Sequence, residues 1–503
     1  MKYISTRGNM PTVSSVEAIK MGMVPAGGLF VPEKIPIISL QQLEQWKDLS
    51  YSKLAYNIFS LFLNNDFSES EISVITKNAY NREIFDSVEI TPMKQLDSEL
   101  FIIELFHGPT GAFKDIALQA LPHILSGALE KLSITSQMLI LVATSGDTGK
   151  AALEGFKNIP GIQVIVYYPF QRVSKIQELQ MLTTEGDNTH VVAIRGNFDD
   201  CQNAVKEIFS DKQFCHYLLE EGYEFSSANS INWGRLFPQI VYYFYAYLSL
   251  LKKNQIQLAE KINFSVPTGN FGNILAGWYA RQMGLPVDKL ICASNINKVL
   301  TDFFQNGIYD RNRPLVSTIS PSMDILISSN LERFLFEIAE HQEKAIIHWM
   351  KDLQEKGSFG LEKTLKNKLD EIVFAGYASE EETMATIKRV YHGYQYLIDP
   401  HTAVGVKVFN DYQGLTKENT KTVVDATASP FKFNQSVLTA LTGEKNIRNK
   451  DEIVLLQELS RYSGMPVPAN LKDLRSKQVR HNLVYDKENV RKSLQDILKN
   501  ITL

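Results

Sequence analysis

Short apolar strands alternate with helix-forming segments through most of the chain, and this alternation limits the possible folds more than any other sequence feature. Continuous apolar runs predict strands that are buried on both faces. Because helical segments of roughly ten or more residues separate these runs, they predict βαβ units around mainly parallel sheets. The predicted strands lie at residues 101–105, 138–142, 164–168, 190–194, 263–266 and 290–293.

The regions around these units have a different sequence pattern, and this difference gives the domain prediction. Residues 1–95 predict a mixed, mainly helical N-terminal lobe. We assign one α/β lobe to residues 96–250 and a second to residues 251–503, which contains a helical insertion at about 300–395. At roughly 150 residues per domain, a chain of 503 residues has room for about three such units.

Composition excludes several classes of protein. The chain has 52 basic and 56 acidic residues, and a net charge of −4 lacks the basic excess typical of nucleic-acid-binding proteins. The most apolar segment, residues 236–251, is shorter than the ~20 residues of a membrane span, and it predicts a core helix. Three cysteines without a C-x-x-C pair, and the lack of an H-E-x-x-H motif, predict neither a disulfide framework nor a metal site.

Location is predicted from the same features. The opening residues 1–7 lack the apolar segment of a signal peptide. Unpaired cysteines are typical of a reducing compartment. We therefore expect a cytoplasmic protein.

The segment HGPTGAFKD at residues 107–115 lies between a predicted strand and a predicted helix. It places Lys114 near the start of the helix, at the carboxyl edge of the sheet, where α/β proteins bind their ligands. A desolvated lysine amine has a lowered pKa and forms Schiff bases readily with carbonyl cofactors. Taken alone, the segment is equally compatible with an exposed lysine beside an ordinary helix turn.

The segment ATSGDTGK at residues 143–150 predicts an anion-binding loop at a helix N-terminus. Backbone amides and the hydroxyls of Ser145 and Thr148 suit a carboxylate or a phosphate. It is not a Walker A loop, because Thr144 and Ala151 stand where that motif requires Gly and Ser or Thr. A plain strand-to-helix turn is the alternative.

The segment PTGNFGN at residues 267–273 is a third loop of this type. Its G-x-x-G spacing differs from the dinucleotide fingerprint G-x-G-x-x-G, so it favours a single phosphate over NAD. A fourth segment, VDATASP at residues 424–430, presents small and hydroxylated residues and is uninformative alone. Together with Lys114, the loops predict an enzyme that binds a small phosphorylated aldehyde cofactor and a small anionic substrate.

These motifs resemble the threonine synthase family, within the fold-type II pyridoxal-phosphate enzymes. The resemblance extends from about residue 3 to at least residue 435. Further matching segments follow in family order at residues 5–8, 27–32, 168–181, 195–202, 230–235, 295–300, 320–325 and 329–334. The resemblance implies a tryptophan synthase β-like α/β fold, with two open, mainly parallel α/β lobes, an N-terminal lobe and a helical insertion.

The implied activity is that of a carbon–oxygen lyase acting on phosphates. The family converts O-phospho-L-homoserine and water to L-threonine and phosphate by pyridoxal-phosphate-dependent γ-elimination and β-replacement, the last step of threonine biosynthesis. The partners implied are this small-molecule substrate and pyridoxal 5'-phosphate, with no nucleic acid, membrane or metal. We expect a monomer or a homodimer.

The resemblance also implies roles for individual residues. Lys114 would attach the cofactor covalently, Thr427 would lie near its pyridine nitrogen, and Asp147 would lie near its ring hydroxyl. The residues that would hold the cofactor phosphate are Gly269, Asn270, Phe271, Gly272 and Asn273. Those that would bind the substrate carboxylate are Ser145, Gly146 and Thr148, and those for the substrate phosphate are Asn232 and Arg235, with Lys175 as a further candidate.

Two departures and two alternatives accompany this prediction. Asp147 occupies a position that is Asn in many fold-type II relatives, and Ser429 stands where some family members have His. A related pyridoxal-phosphate-dependent phospholyase or dehydratase would use nearly the same residues. A non-catalytic protein that binds a phosphorylated ligand on this fold would be marked by loss of the lysine, which is present here.

Overall fold

The computed structural model describes residues 1–501, apart from the side chain of Asp199, and places most of the apolar strands in two separate sheets. All six predicted strands are present, with bounds that differ by one to three residues from the prediction. The predicted α/β class is therefore confirmed.

The N-terminal lobe is mainly helical and contains a small antiparallel sheet, in which the strand at residues 2–5 lies between those at residues 13–14 and 30–32. Three of its four helices begin at capping boxes: at the first of them, the Ser14 hydroxyl accepts a hydrogen bond from the Glu17 amide, and Glu17 accepts one from the Ser14 amide. Ser68 and Glu71 repeat this arrangement. The elements are β1 (Lys2–Ser5), β2 (Val13–Ser14), α1 (Ser15–Met21), β3 (Phe30–Pro32), α2 (Leu40–Trp46), α3 (Tyr51–Leu63) and α4 (Glu69–Ala79).

The middle of the chain alternates strands and helices. Its elements are β4 (Met93–Gln95), β5 (Leu100–Glu104), α5 (Lys114–Leu118), α6 (Leu121–Lys131), β6 (Gln137–Ala143), α7 (Asp147–Phe156), β7 (Ile162–Pro169), α8 (Lys175–Leu182), β8 (Thr189–Arg195), α9 (Phe198–Ser210), α10 (Lys212–Glu220), β9 (Tyr223–Ser226), α11 (Trp233–Leu236) and α12 (Ile240–Lys252).

The remaining elements include the predicted insertion and the C-terminal region. They are β10 (Ile262–Pro267), α13 (Gly272–Gln282), β11 (Val287–Ser294), α14 (Val299–Asn306), β12 (Ile308–Asp310), α15 (Leu331–Ile338), α16 (Glu343–Glu355), β13 (Ser358–Gly360), α17 (Lys363–Ile372), β14 (Val373–Tyr377), α18 (Glu380–Tyr394), α19 (Pro400–Thr416), β15 (Thr422–Ala426), α20 (Asn434–Thr442), α21 (Glu452–Ser463), β16 (Leu483–Asp486) and α22 (Val490–Ile501).

Two larger sheets form the framework for the loops. One is parallel throughout, with strand order β16-β8-β7-β6-β9. The other has the order β14-β11-β10-β15-β5-β4 and is parallel except for the antiparallel edge pair β4 and β5. Every residue of β7, β10 and β15 is buried, as expected for parallel strands that are covered on both faces.

The predicted boundary at residue 250 does not separate these sheets. Strand β5 belongs to the predicted first α/β lobe, yet it pairs with β15 of the second, with Ile102 opposite Val424. Strand β16 returns to pair with β8, and β14 extends the larger sheet from within the insertion. Buried strands need backbone hydrogen-bond partners on both sides, and distant segments supply them without leaving a local sequence signal.

The apolar segment at residues 236–251 forms the buried core of the molecule, as predicted. Helix α12 contains nine buried residues, among them Tyr242, Tyr243 and Tyr247. Within residues 1–501, no helix combines the length and the hydropathy that crossing a membrane requires.

A close contact between α5 and α7 sets the distance between two of the predicted functional loops. A Cβ atom at Gly155 of α7 would overlap the carbonyl oxygen of Leu118 at the end of α5. Lys114 and Asp147 are the first residues of these two helices, so the glycine allows their N-termini to approach.

We predict that Gly155→Ala lowers the free energy of unfolding by about 1–3 kcal/mol, because the added methyl group has no space. The matched control is Gly393→Ala on α18, where an added Cβ has no heavy atom within 4 Å. This control should be neutral or stabilising by up to about 1 kcal/mol, since alanine favours a helix over glycine. Denaturant unfolding of both variants is the measurement, and equal effects of the two substitutions would contradict the proposed contact.

Candidate active site

Three of the predicted loops follow three neighbouring parallel strands. Lys114 follows β5, Thr427 follows β15, and Gly269 follows β10, in the sheet order β10-β15-β5. The carboxyl ends of parallel strands lie at one edge of the sheet, so these loops are adjacent. The fourth loop follows β6 of the other sheet, and Asp147 from that loop contacts Lys114. The four predicted loops are thus adjacent, between the two sheets.

The loop that carries Lys114 is held at both ends. The Thr110 amide and hydroxyl donate to the carboxylate of buried Asp115, at 2.9 and 2.8 Å. On the other side, the Phe113 amide donates to the Thr427 carbonyl at 2.8 Å, and the Ser429 amide donates to the Gly111 carbonyl at 2.9 Å. These bonds fix the backbone of Lys114 against the end of β15.

The Lys114 amine lies in a charged but water-poor setting. Its side chain is 11% exposed, and its Nζ lies 3.4 Å from Asp147 Oδ2 and 3.3 Å from Ser322 Oγ. Burial lowers the pKa of Lys114; the charge of Asp147 opposes this shift, and the charges of Lys432 and Arg235 add to it. A lowered pKa increases the fraction of neutral amine, the form that attacks a carbonyl carbon.

Asp147 lies between two lysines at the start of α7. Its Oδ1 lies 2.7 Å from the Nζ of fully buried Lys432 and accepts a hydrogen bond from Gln177 Nε2 at 2.9 Å. Burial alone would raise the pKa of the Asp147 carboxyl, but the charges of Lys432 and Lys114 lower it well below its usual range. Asp147 is therefore a carboxylate at neutral pH and the nearest counter-charge to Lys114.

The loop before α7, for which the sequence predicts anion binding, is held by the Thr144 side chain. The Thr144 hydroxyl accepts hydrogen bonds from the amides of Gly146 and Gly149, both at 2.9 Å. Gly146 has a φ of 135°, and a Cβ atom there would overlap the side chain of Gln177. Within residues 1–501, the hydroxyls of exposed Ser145 and half-buried Thr148 have no hydrogen-bond partner. They remain able to bind a ligand.

The loop after β10 fits a phosphate at the start of α13. Phe271 adopts a left-handed conformation with φ 61°, which turns the chain into the helix. The first amides of a helix have no acceptor within it and suit an anion. A Cβ atom at Gly269 would lie 2.8 Å from the carbonyl oxygen of Ser322, so only glycine allows this approach. The Asn270 carbonyl accepts a hydrogen bond from the Asn330 amide at 3.1 Å.

The side chain of Asn273 is buried at the start of α13. Its side-chain oxygen accepts hydrogen bonds from the hydroxyls of Tyr242 and Tyr243, at 2.5 and 2.7 Å. The Tyr243 hydroxyl also lies 3.2 Å from Asp425 Oδ2, on the strand that leads to Thr427. This buried network connects the start of α13 to β15.

The three residues predicted for the substrate phosphate differ in their surroundings. Arg235 is buried near Lys114; burial lowers its pKa to about 10, and its Nε has no hydrogen-bond partner within the described residues. Asn232 is instead a helix cap, since its side chain bonds to Ile19, Ser227 and Gly234. Lys175 is exposed and pairs with Glu178 at 2.9 Å. We keep Arg235 and leave out Asn232, whose polar atoms are already used, and Lys175, which is paired at the surface.

The sequence reasoning missed two residues of this site. Lys432 lies in a short turn after Pro430, and a lysine within the apolar run PFKF was the one available signal. Ser322 belongs to the segment at residues 320–325 that was noted only for its resemblance. Neither contact is local in sequence, so spacing alone could not reveal it.

This arrangement defines a class of protein. A buried lysine with a lowered pKa, a glycine cradle at a helix N-terminus and a nearby hydroxyl-bearing Thr427 fit the aldehyde, the phosphate and the ring of pyridoxal 5'-phosphate. Among the side chains that the structure describes, those of residues 1–501 other than Asp199, no group of three or more His, Cys, Asp or Glu is suited to a metal ion. The fold and site are those of a fold-type II pyridoxal-phosphate enzyme.

Comparisons with known proteins give the family. Family models described as threonine synthase N terminus, pyridoxal-phosphate dependent enzyme, and threonine synthase, C-terminal match residues 2–80, 84–364 and 402–494. Threonine synthase from Pseudomonas aeruginosa is 38% identical over 88% of this chain and 91% of its own length. The chain belongs to the threonine synthase family.

A solved structure and a longer relative extend this result. The structure of pyridoxal-phosphate-bound threonine synthase from Brucella melitensis has a TM-score of 0.88 and 36% identity, covering 100% of this chain and 99% of that one. Threonine synthase-like 1 from Homo sapiens is 39% identical over 90% of this chain but only 61% of its own length. The chain is thus a pyridoxal-phosphate-dependent enzyme that acts on a small molecule, and the non-catalytic alternative is disfavoured.

Asp425 gives a pH prediction for this site. Burial raises its pKa to about 7, whereas an unfolded chain releases such a proton near pH 4. Between these pH values the folded state binds more protons at Asp425, so the contribution of this group to stability falls as pH rises and is fully lost above pH 7. Asp425→Asn does not titrate, and its stability relative to wild type should rise by on the order of 2–4 kcal/mol from pH 4 to pH 8.

Thermal melting at a series of pH values measures this difference. The control is Asp187→Asn, an exposed carboxylate whose removal should leave the pH dependence unchanged. A difference between Asp425→Asn and wild type that is the same at every pH would contradict the assignment of a protonated Asp425.

Proposed function

We propose that this chain converts O-phospho-L-homoserine and water to L-threonine and phosphate, as the last step of threonine biosynthesis. The observation that carries the proposal is the buried Lys114 amine beside Asp147, where the loops of both sheets meet. The names of the relatives support the same activity.

The cofactor would be held by the residues of three loops. Lys114 would bind its aldehyde carbon covalently, and the first amides of α13, with Gly269 and Asn270 beside them, would bind its phosphate. Thr427 would lie near the ring nitrogen and Asp147 near the ring hydroxyl. When bound, the cofactor supplies an electron sink for the electron pair that remains when a proton leaves the substrate's Cα.

With the substrate bound, the free amine of Lys114 would be the group that moves protons at Cα and the neighbouring carbons. Its lowered pKa suits this role, because an amine that titrates nearer to neutral pH can both accept and donate a proton. The permanent charge of Asp147 would keep the amine within reach of those carbons.

The substrate has a carboxylate and a phosphate, and the site offers two places for negative charge. The hydroxyls of Ser145 and Thr148, with the amides at the start of α7, suit the carboxylate. Arg235 and Lys432 suit the phosphate, because both are buried cations near Lys114. An ammonium has three donors and a guanidinium five, so each retains donors beyond its contacts with Asp147 and the Ala228 carbonyl.

We also propose a cytoplasmic location. The described residues contain three free cysteines, two of them buried, and reducing compartments keep such thiols unpaired.

We expect Lys114→Ala to reduce phosphate release from O-phospho-L-homoserine by at least about a thousandfold, because both the covalent attachment and the proton carrier are lost. The control is Lys388→Ala on the exposed face of α18, which should retain wild-type activity. Phosphate and threonine are both quantified. Equal amounts in the wild-type reaction support the proposal, whereas phosphate with a keto acid and no threonine would identify a phospholyase or dehydratase.

We expect Arg235→Met to raise both the KM for O-phospho-L-homoserine and the inhibition constant of inorganic phosphate by about tenfold or more, because a charged hydrogen bond to phosphate is lost. The matched control is Arg389→Met on the surface of α18. If Arg235→Met folds and leaves both constants unchanged, the phosphate lies elsewhere in the site.

A further inference from the structure

The insertion contributes a hydroxyl group directly to the cofactor lysine. Ser322 lies in a single helical turn, Pro321–Met323, between α14 and α15. Its Oγ accepts a hydrogen bond from Lys114 Nζ at 3.3 Å and donates one to Asp147 Oδ2 at 3.3 Å. Ser322, Lys114 and Asp147 therefore form a triangle of mutual contacts, in which Ser322 is separated from Lys114 by 208 positions in sequence.

A polar network fixes the segment on which Ser322 lies. The Asn295 side-chain amide donates to Thr318 Oγ1 at 3.0 Å and to Asp324 Oδ1 at 2.8 Å, and Asn297 donates to the same carboxylate oxygen at 3.0 Å. The Thr318 amide donates to Asp324 Oδ2 at 2.9 Å. These contacts fold residues 318–324 against the end of β11.

A buried histidine holds the backbone of Ser322 itself. The Ser322 amide donates to His401 Nε2 at 3.2 Å, while His401 Nδ1 lies 2.6 Å from Asp399 Oδ2. His401 and Asp399 are 2% and 0% exposed. Since Nε2 accepts a hydrogen bond, we assign the ring proton to Nδ1, facing Asp399. On the opposite side, Gly269 leaves room for the Ser322 carbonyl.

From these contacts we propose that Ser322 is a catalytic residue whose hydroxyl holds the Lys114 amine during proton transfer, and that His401 and Asp399 position it. The inference rests on the proposed function for the reaction itself. The hydroxyl gives the ammonium form of Lys114 an uncharged acceptor, so the amine is directed by two groups rather than by Asp147 alone. Ser322 forms no covalent bond and undergoes no net change in protonation.

The two segments at residues 295–300 and 320–325, which both carry the family resemblance, act together in this arrangement. The first supplies the amides of Asn295 and Asn297, and the second supplies Asp324, which accepts from both, and Ser322. Together they carry a hydroxyl from the insertion to the lysine of the larger sheet.

Turnover of three variants tests the proposal first. Ser322→Ala should lower kcat by about tenfold or more while the KM for O-phospho-L-homoserine changes less than about threefold, because the lost contact is to the lysine and not to the substrate. Ser322→Thr keeps the hydroxyl and should restore kcat to within about threefold of wild type. The control is Ser317→Ala, an exposed serine of the same insertion, which should match wild type.

A second readout does not depend on turnover or on the bound cofactor. The full chain, freed of cofactor, is treated with formaldehyde and borohydride at a series of pH values, and methylation of Lys114 is followed by mass spectrometry. The charged groups that face this amine are Asp147, Lys432 and Arg235, and all three remain in Ser322→Ala. Loss of an acceptor for the ammonium should move the midpoint of modification to lower pH by about half a unit or more. The midpoint in Ser322→Thr should match wild type.

The positioning role of His401 is tested by coupling. His401→Leu should lower kcat, His401→Gln should retain more activity because its amide oxygen can accept the Ser322 amide, and His401→Leu should add little to Ser322→Ala. Wild-type kcat and a wild-type modification midpoint in Ser322→Ala would overturn the proposal. Failure of the wild-type enzyme to form threonine would overturn the proposed function instead, while the modification midpoint would still decide the role of Ser322.

Discussion

The ion pairs around Asp147 are the interaction on which the site depends. A carboxylate buried between Lys114 and Lys432 remains ionised only because both cations are close. In return, Asp147 holds the two lysines, whose like charges would otherwise repel each other in a setting with little water. Lys114 can therefore be buried deeply enough for its pKa to fall without being expelled towards solvent.

This cluster exists because the chain joins segments that lie far apart in sequence. Lys114 follows β5, Asp147 begins α7, Lys432 follows β15, and Ser322 comes from the insertion. The two sheets are interleaved, since β5 pairs with β15 and β16 pairs with β8. A change in the approach of α5 to α7, or in the position of β15, would thus disturb the charge balance at the lysine.

Much of the fold could be predicted, because its signals are local. An apolar run followed by a glycine loop and a helix predicts a strand-to-helix turn wherever it occurs, and Lys114, Ser145 and Gly269 lie in such turns. Sheet order was not predictable in this way, because strand pairing depends on segments more than 300 residues apart, as for Ile102 and Val424. For that reason, residue 250 does not separate the two sheets.

In the site, too, local features could be predicted from the sequence and long-range contacts could not. The Lys114 and Gly269 loops could be inferred from their own sequences, and the family resemblance supplied Thr427 and Asp147. The family resemblance also implies a role for Asn232, yet its side chain caps α11 and bonds to a carbonyl of α1. Lys432 and Ser322 were missed because a contact across hundreds of residues leaves no pattern in either segment. The sequence predicts the insertion only as an added helical region, yet it contributes the Ser322 hydroxyl to Lys114.

The most direct measurement asks which lysine carries the cofactor. The purified enzyme, reconstituted with pyridoxal 5'-phosphate, is reduced with borohydride, digested and analysed by mass spectrometry. The account predicts a phosphopyridoxyl group on Lys114 and none on Lys432, the other lysine in contact with Asp147. A label on Lys432, or a reduced protein without a label at Lys114, would contradict it.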